Sequence, residues 1–206
     1  MLTYRLASRF YWTPAPLSTE DSRSMLLLRR VPLSSPHVLV LGDSAARSNF
    51  MDMLASTVGR SAGSEIARVR LIDEDLLPVL LEVNGRLRLM EQDGVASWFD
   101  TTSDNGEDGE DGGRVPLIVL VEDHASTEMN AGGDDAIFTL TELLRISRAA
   151  GVFIVVSVDD PSRLTGEALD DLGLRIHVRG DREGTGDLDL NMDCNGDAYG
   201  TRIPLA

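Results

Sequence analysis

Three uninterrupted apolar runs constrain this chain most: Val38–Leu41, Leu117–Val121 and Val152–Val156. Each is far below the ~20 residues a membrane helix needs. Each is also too continuous for a sheet with one wet face, and reads instead as a parallel strand covered on both sides. Between them lie stretches of helical spacing. In Phe50–Val58 the residues Phe50, Met53, Leu54 and Val58 share a face. Asp73–Gln92 reads as a helix with Asp73 as its N-cap, an apolar side of Leu76, Leu77, Leu80, Leu81, Leu87 and Met90, and Pro78 near its start. Asp134–Ala150 carries Ile137, Leu140, Leu144 and Ile146, and Gly151 supplies its stop. Ala67–Ile72 and Leu174–Val178 read as further strands, Arg163–Leu172 as a short helix, and Gly184–Ala206 as a terminal hairpin. Strands alternating with helices predict an α/β fold, a doubly wound, mainly parallel sheet flanked by helices.

Two segments fall outside this alternation. Residues 1–30 form a polar, proline-dotted N-terminal extension, and Met25–Val31, at its junction with the α/β domain over 31–206, reads as a short strand or helix turn. An acidic insertion at about 100–113, containing DNGEDGEDGG, has glycines and acids that bury no core and is expected to be disordered. Its spacing is not that of a calcium loop.

Charge narrows the function. The net charge is −15. Nucleic-acid affinity comes mainly from basic contacts to phosphates, so this balance disfavours a DNA or RNA partner. All 19 basic residues are arginine, so chemistry that requires a lysine has no donor in this chain. The single cysteine, Cys194, has no internal disulfide partner and reads as an inert thiol in a reducing, cytoplasmic setting. Met1–Trp12 lacks the apolar core of a signal peptide, and no segment is long enough to insert in a membrane. His37, His124 and His177 show no metal-ligand spacing, and no metal site is expected.

Three elements carry the functional argument. The first is Gly42-Asp43-Ser44-Ala45-Ala46-Arg47-Ser48-Asn49, which follows a buried strand. A working phosphate loop reads G-x-x-x-x-G-K-[ST]: its second glycine lets backbone wrap the phosphates, the lysine reaches their charge, and the hydroxyl holds Mg²⁺. Here only the first glycine stands. Arg47 takes the second glycine's place, Ser48 the lysine's and Asn49 the hydroxyl's. The second element is Leu117–Val121 followed by Glu122-Asp123, an apolar strand ending in two acids like a Walker B strand, whose acids hold Mg²⁺ and polarise the attacking water. The third is Arg148-Ala149-Ala150-Gly151 with its strand, running into Asp160-Pro161-Ser162.

In this order the chain resembles the FtsK/SpoIIIE family of P-loop motor ATPases, including the EccC-type ATPases of type VII secretion. Pro36–Gly42 matches the family's stretch before the phosphate loop, Arg86–Met90 its basic segment before Walker B, and Ser147–Ser162 the segment after it. Gly186-Asp187-Leu188 is similar to its C-terminal strand motif. The resemblance spans roughly 31–190 and implies a P-loop NTPase-like fold, ATP with Mg²⁺ at the loop, and work in a translocation or secretion complex. The departures point the other way. The loop lysine and hydroxyl are missing, and the family's Gln-Arg before the proline is Asp159-Asp160. A transferring phosphoryl group must be neutralised by cations, and this site exchanges them for acids.

The expectation is therefore a degenerate, non-hydrolysing domain with a vestigial phosphate loop at Gly42–Asn49, Walker B-like Glu122 and Asp123 without catalytic duty, and no bound cofactor. It would act through a protein partner, either FtsK- or EccC-like subunits or a second copy of itself, in the cytoplasm and peripheral to a membrane-bound complex. One alternative is an unconventional ATPase of the translocase type that binds ATP and Mg²⁺ weakly, using Arg47 or an interface arginine such as Arg145 or Arg148. Another is a DNA-handling accessory, which the charge opposes. A response-regulator receiver, suggested by Leu120–His124, would need a late lysine and leave the first half of the chain unexplained.

Overall fold

The computed structural model describes residues 4–6, 10–12, 37–59, 65–99, 114–123, 133–180, 188–194 and 197–203. The acidic insertion, Met25–Val31 and His124 lie outside them. Strands β1 (Tyr4–Leu6) and β2 (Phe10–Trp12) form a two-stranded antiparallel ribbon. The other described strands build a seven-stranded sheet from β3 (Val38–Gly42), β4 (Glu65–Arg70), β5 (Leu117–Glu122), β6 (Val152–Ser157), β7 (Leu174–Gly180), β8 (Leu188–Cys194) and β9 (Asp197–Ile203). Their spatial order is β4-β5-β6-β3-β7-β8-β9. The first five in that order are parallel, and β8 and β9 complete the sheet as an antiparallel hairpin. The α/β fold and the terminal hairpin expected from the sequence are both present.

Four helices join the parallel strands: α1 (Ser44–Gly59), α2 (Asp73–Asp93), α3 (Gly133–Ser147) and α4 (Gly166–Asp171). Alternate side chains of the sheet divide between two cores. Val38, Val40, Ile118, Leu120, Ile176 and Val178 pack with Ala46, Phe50 and Met51 of α1. Leu39, Val119, Val121, Ile154 and Val156 pack with α2, α3 and α4. Among the described residues, one helix therefore covers one face and three cover the other. β3 sends its chain over the first face, and its neighbour β6 sends its chain over the second. Such a reversal opens a crevice at the carboxyl ends of the two strands, where ligands bind in open α/β sheets.

The helices differ from the sequence expectation in ways packing explains. α1 starts at Ser44, six residues before the expected Phe50, because Ala46 joins Phe50 and Met51 in the core. In α2 the cap residue is Ile72 rather than Asp73. Its buried stripe is Leu76, Val79, Val83 and Met90, with Leu80 and Leu87 half-buried, while Leu77 and Leu81 face solvent. Gly94, at φ +66°, ends the helix with its N–H on Glu91 O, and Val95 N donates to Met90 O at 3.0 Å, a left-handed stop that glycine adopts without strain. α3 carries Asp134 and Asp135 in its first turn, where they favour the helix dipole. The expected helix over Arg163–Leu172 is split into a 3₁₀ turn (Pro161–Arg163) and α4. Two caps cause the split: Asp160 accepts from Ser162 N at 2.9 Å, and Thr165 accepts from Ala168 N at 3.1 Å. No described helix is long and apolar enough to cross a membrane.

Candidate functional site

The register of the sheet sets the site. Arg70 lies opposite Glu122, and Glu122 opposite Ser157. Val40 pairs with Ser157, which leaves Leu41 and Gly42 projecting past it toward the crevice. The backbone ladder continues one step further, with Asp123 N on Ser157 O at 2.8 Å and Leu71 N on Glu122 O at 2.9 Å. The ends of β3, β5 and β6 that the sequence singled out are therefore side by side.

Where a phosphate loop is expected over Gly42–Asn49, only Asp43 lies outside regular structure. Gly42 is the last residue of β3, and Ser44–Asn49 are the first turns of α1. Gly42 sits at φ +129°, and a Cβ there would fall 1.9 Å from Val178 O on β7. Glycine is thus required by strand packing as well as by the turn. Asp43, Ser44, Ala45 and Asn49 are exposed, Ser48 is half-buried, and Ala46 is in the core.

Arg47 is the centre of the site. Its backbone N–H donates to Asp43 O at 2.9 Å. Its side chain is only 4% exposed and turns back into the crevice. Nε donates to Gly42 O at 3.0 Å, Nη1 to Ser157 Oγ at 3.0 Å, and Nη2 pairs with the Asp159 carboxylate. One guanidinium therefore ties α1 to the ends of both β3 and β6. Burial pulls its pKa below the ordinary arginine value, and the nearby charges of Asp123 and Glu122 oppose that pull.

The two Walker B-like acids are buried and held by different arginines. Glu122 accepts at Oε1 from Arg68 Nε at 2.8 Å and Nη2 at 2.5 Å. Arg68, on edge strand β4, also reaches Asp52 of α1 at 2.5 Å. These bonds to Asp52 and Glu122 raise its pKa further. Asp123 pairs with Arg163 of the 3₁₀ turn. Asp160 does not enter the crevice; its carboxylate caps that turn, and the bond to Ser162 lowers its pKa. Three arginines from α1, β4 and the turn after β6 thus meet Asp159, Glu122 and Asp123.

Arg68, Arg163, Ser157 and Asp52 were not singled out in the sequence. Arg68 was hidden in an alternating strand, and its signal is the parallel register that brings β4 beside β5. Arg163 was hidden in a helix that proved to be a turn. Arg145 and Arg148 lie at the opposite end of the molecule, because α3 runs antiparallel to the strands; both are exposed, and Arg145 pairs with Glu142 at 2.6 Å. His177 is exposed on β7, whereas His37 is buried before β3. Among the described residues no group of three or more His, Cys, Asp or Glu side chains is placed to hold a metal. For Mg²⁺, the only acids at the expected position are Glu122 and Asp123, and the positive charge of Arg68 and Arg163 already stands against them. For a nucleotide phosphate, the backbone cradle is replaced by the first turn of α1 and the Arg47 side chain. These residues do not fit ATP with Mg²⁺ in this conformation.

No protein-family model and no curated protein matches the chain. Solved structures do. The pCW3 conjugation coupling protein TcpA, solved as a monomer with ATPγS, aligns with a TM-score of 0.60 at 14% identity over 84% of this chain and 61% of that one. EssC (ATPases 2 and 3) from Geobacillus thermodenitrificans aligns with a TM-score of 0.58 at 10% identity over 82% of this chain and 39% of that one. The cytoplasmic domain of the Thermomonospora curvata type VII secretion ATPase EccC aligns with a TM-score of 0.58 at 15% identity over 83% of this chain and 25% of that one. The chain spans less than two thirds of each of these proteins. At such identities the likeness shows the fold: a P-loop ATPase-like α/β sheet of the kind found in secretion and conjugation-coupling ATPases.

Proposed function

We propose that this chain is a non-hydrolysing, FtsK/SpoIIIE-like domain that holds its own nucleotide crevice closed and serves as a protein-contact or regulatory module. Its setting is a translocation or secretion complex, on the cytoplasmic side and peripheral to the membrane-bound part, and its partner is an EccC- or FtsK-like subunit or a second copy. The observation that carries this reading is Arg47. A cation that reaches a bound phosphate from the rim would be free to meet it. This guanidinium is buried and engaged with Gly42 O, Ser157 and Asp159 of its own chain. Asp159 stands where the resembled family has a glutamine. An arginine–aspartate pair inside the crevice supplies internally the charge neutralisation that nucleotide and metal supply in a working site.

The pairing of Glu122 with Arg68 supports the same reading, since a carboxylate engaged twice by one guanidinium is a poor base for an attacking water. The decisive experiment is magnesium-dependent ATP turnover by the purified chain beside Glu122→Gln, with calorimetry for ATP and ADP at millimolar nucleotide. The expected outcome is equal, background turnover and no heat of binding. Turnover well above Glu122→Gln would establish the unconventional ATPase instead, and binding without turnover would restore ATP as a ligand.

A further inference from the structure

The chain between β6 and α4 is built like a strap. Its two ends, Val158 and Leu164, are buried in the core. Between them Asp159, Asp160, Ser162 and Arg163 are exposed and Pro161 is half-buried. These residues hold one another. Asp160 accepts from Ser162 N through its carboxylate at 2.9 Å and from Arg163 N through its carbonyl at 3.3 Å, and Pro161 O accepts from Leu164 N at 3.1 Å. Pro161 adds a fixed φ at the head of the turn. A segment tied together from within, between two short anchors, is suited to move as one body on hinges at its ends.

Two ion pairs of opposite polarity clamp the strap to the body. Asp159 meets Arg47 of α1, and Arg163 meets Asp123, just past β5. In each pair the body's charge is buried, Arg47 at 4% exposed and Asp123 at 3%. The strap's charge is more than a third exposed in both, 37% for Asp159 and 39% for Arg163. The two buried charges are also neighbours, because both bond to Ser157. Arg47 Nη1 donates to its hydroxyl at 3.0 Å, and Asp123 N donates to its carbonyl at 2.8 Å. Asp123 already acts on Arg47, as one of the charges that hold its pKa up against burial. Removing the partner of a buried ion is strongly destabilising. A strap that released one pair alone would leave such an ion behind. A strap that releases both leaves an arginine and an aspartate side by side, while its own two charges pass into water.

We propose that residues 159–163 form a hinged strap with two settings: closed, with Arg47 on Asp159 and Arg163 on Asp123, and open, with Arg47 turned onto Asp123 and both strap charges in water. Val158 and Leu164 are the hinges. Each buried charge has a partner of opposite sign in both settings, which makes the strap a two-state element rather than a fixed plug. Its swing uncovers Ser157 and the mouth of the crevice between β3 and β6. This release presumes the self-closed crevice of the proposed function, but its test contains no nucleotide, so either can fail without the other.

The test places Asp159→Asn and Arg163→Gln in the full chain, singly and together, and follows urea unfolding. Each single substitution should lower the midpoint, since one buried charge loses its partner. The two together should lower it by less than the sum, because Arg47 and Asp123 then take each other. Asp123→Asn is next added to the double variant. A further fall in midpoint is expected, as Arg47 loses its new partner; had the two charges stayed apart, neutralising an unpaired buried aspartate would leave the midpoint unchanged or raise it. Losses equal to or above the sum, a double variant that does not fold, or no further fall with Asp123→Asn would each overturn the exchange of partners. Movement of the strap is read separately from Ser157→Cys in a Cys194→Ser background, by the rate of maleimide labelling without denaturant. The thiol should react at least tenfold faster with the doubly substituted strap than with the native one. A smaller increase would overturn the hinge, since the strap would then stay down whichever way its charges pair.

Discussion

The arginines at both ends of the parallel sheet meet carboxylates, but those at the amino end also stack on an aromatic ring. At the carboxyl end, Arg47, Arg68 and Arg163 each meet a carboxylate, and they join elements that follow different strands. At the amino end, Arg86 and Arg114 sandwich Trp98, each guanidinium carbon 4.7 Å from the ring centre. There Arg86 Nη1 and Trp98 Nε1 both donate to Val115 O at 3.1 Å. His37 joins the same end, accepting from Ile154 N at Nδ1 and donating from Nε2 to Leu144 O. The amino end satisfies backbone with side chains and stacks them, which is a stabilising arrangement. The carboxyl end cancels charge against charge in a crevice, an arrangement that fixes conformation but gains little net stability, because burying ions costs much of what their attraction returns. The difference teaches that the crevice keeps its ligand-site position while its charges are directed inward.

The largest effect should come from the one backbone position at the carboxyl end that has no substitute. Gly42→Ala forces a Cβ onto Val178 O at 1.9 Å and holds alanine at φ +129°. The expected loss is about 4 kcal/mol in urea unfolding, or failure to fold, since strain and overlap act together. A mild effect would show that β3 and β7 separate easily, and would weaken the picture of a rigid crevice.

The amino end is tested next through His37. Burial holds its pKa at about 4, against 6.5 unperturbed; the bond to Leu144 O opposes the shift and Arg148 adds to it. The folded state therefore binds its proton less readily than the unfolded chain. The stability it contributes is complete above pH 6.5 and is lost as pH falls toward 4. That difference corresponds to about 3 kcal/mol. Protonation would set an Nδ1–H against the Ile154 N–H, which gives the loss a structural cause. Urea midpoints from pH 7 to 4 should fall more steeply for the native chain than for His37→Gln, by about that amount. Parallel profiles would remove His37 from the account.

Much of the fold was legible because its strands are buried on both faces. Val38–Leu41, Leu117–Val121 and Val152–Val156 could hardly be anything else, and their order with the helices between them fixed the α/β class. Helix faces were read less well. Leu77 and Leu81 look like core in a leucine-rich stretch, yet the stripe that packs is Leu76, Val79, Val83 and Met90, and only the angle of α2 on the sheet decides between them. At the site, the ends of β3, β5 and β6 were located from motif order. The partners were not, because Arg68 reaches Glu122 across a strand pairing that no local pattern encodes. Nor does the sequence reveal that Ser44–Asn49 would be helix rather than loop, since the segment differs from a phosphate loop mainly at Arg47, Ser48 and Asn49.

Two smaller substitutions sharpen the contrast between the ends. Arg86→Ala removes bonds to Val115 O, Glu82 and Glu65 and one side of the Trp98 stack. It should cost about 2 kcal/mol, because the Val115 carbonyl keeps Trp98 as a donor and the two glutamates are already half in water. A double-mutant cycle on Arg47→Met and Asp159→Asn should give a coupling of about 1 kcal/mol, since Asp159 is partly exposed and the pair is screened accordingly. A cycle near zero would reduce the crevice pair to coincidence. A coupling larger than the Arg86 loss would reverse the ranking of the two ends.

The smallest effect concerns neither end. Gly85 sits within α2, and a Cβ added there meets nothing within 4 Å. Glycine in a helix interior costs up to about 1 kcal/mol relative to alanine, through its greater freedom in the unfolded chain. Gly85→Ala should therefore raise the urea midpoint modestly and leave every contact at both ends unchanged. Its value is as a calibration. If a substitution that touches nothing stabilises by more than half of what Arg86→Ala removes, local helix propensity rivals the amino-end stack in holding α2. The stack would then serve chiefly to aim β5 rather than to stabilise it. If the gain is a few tenths of a kcal/mol, the amino end holds α2 in place, and the carboxyl end can keep its ions paired at little cost to the fold.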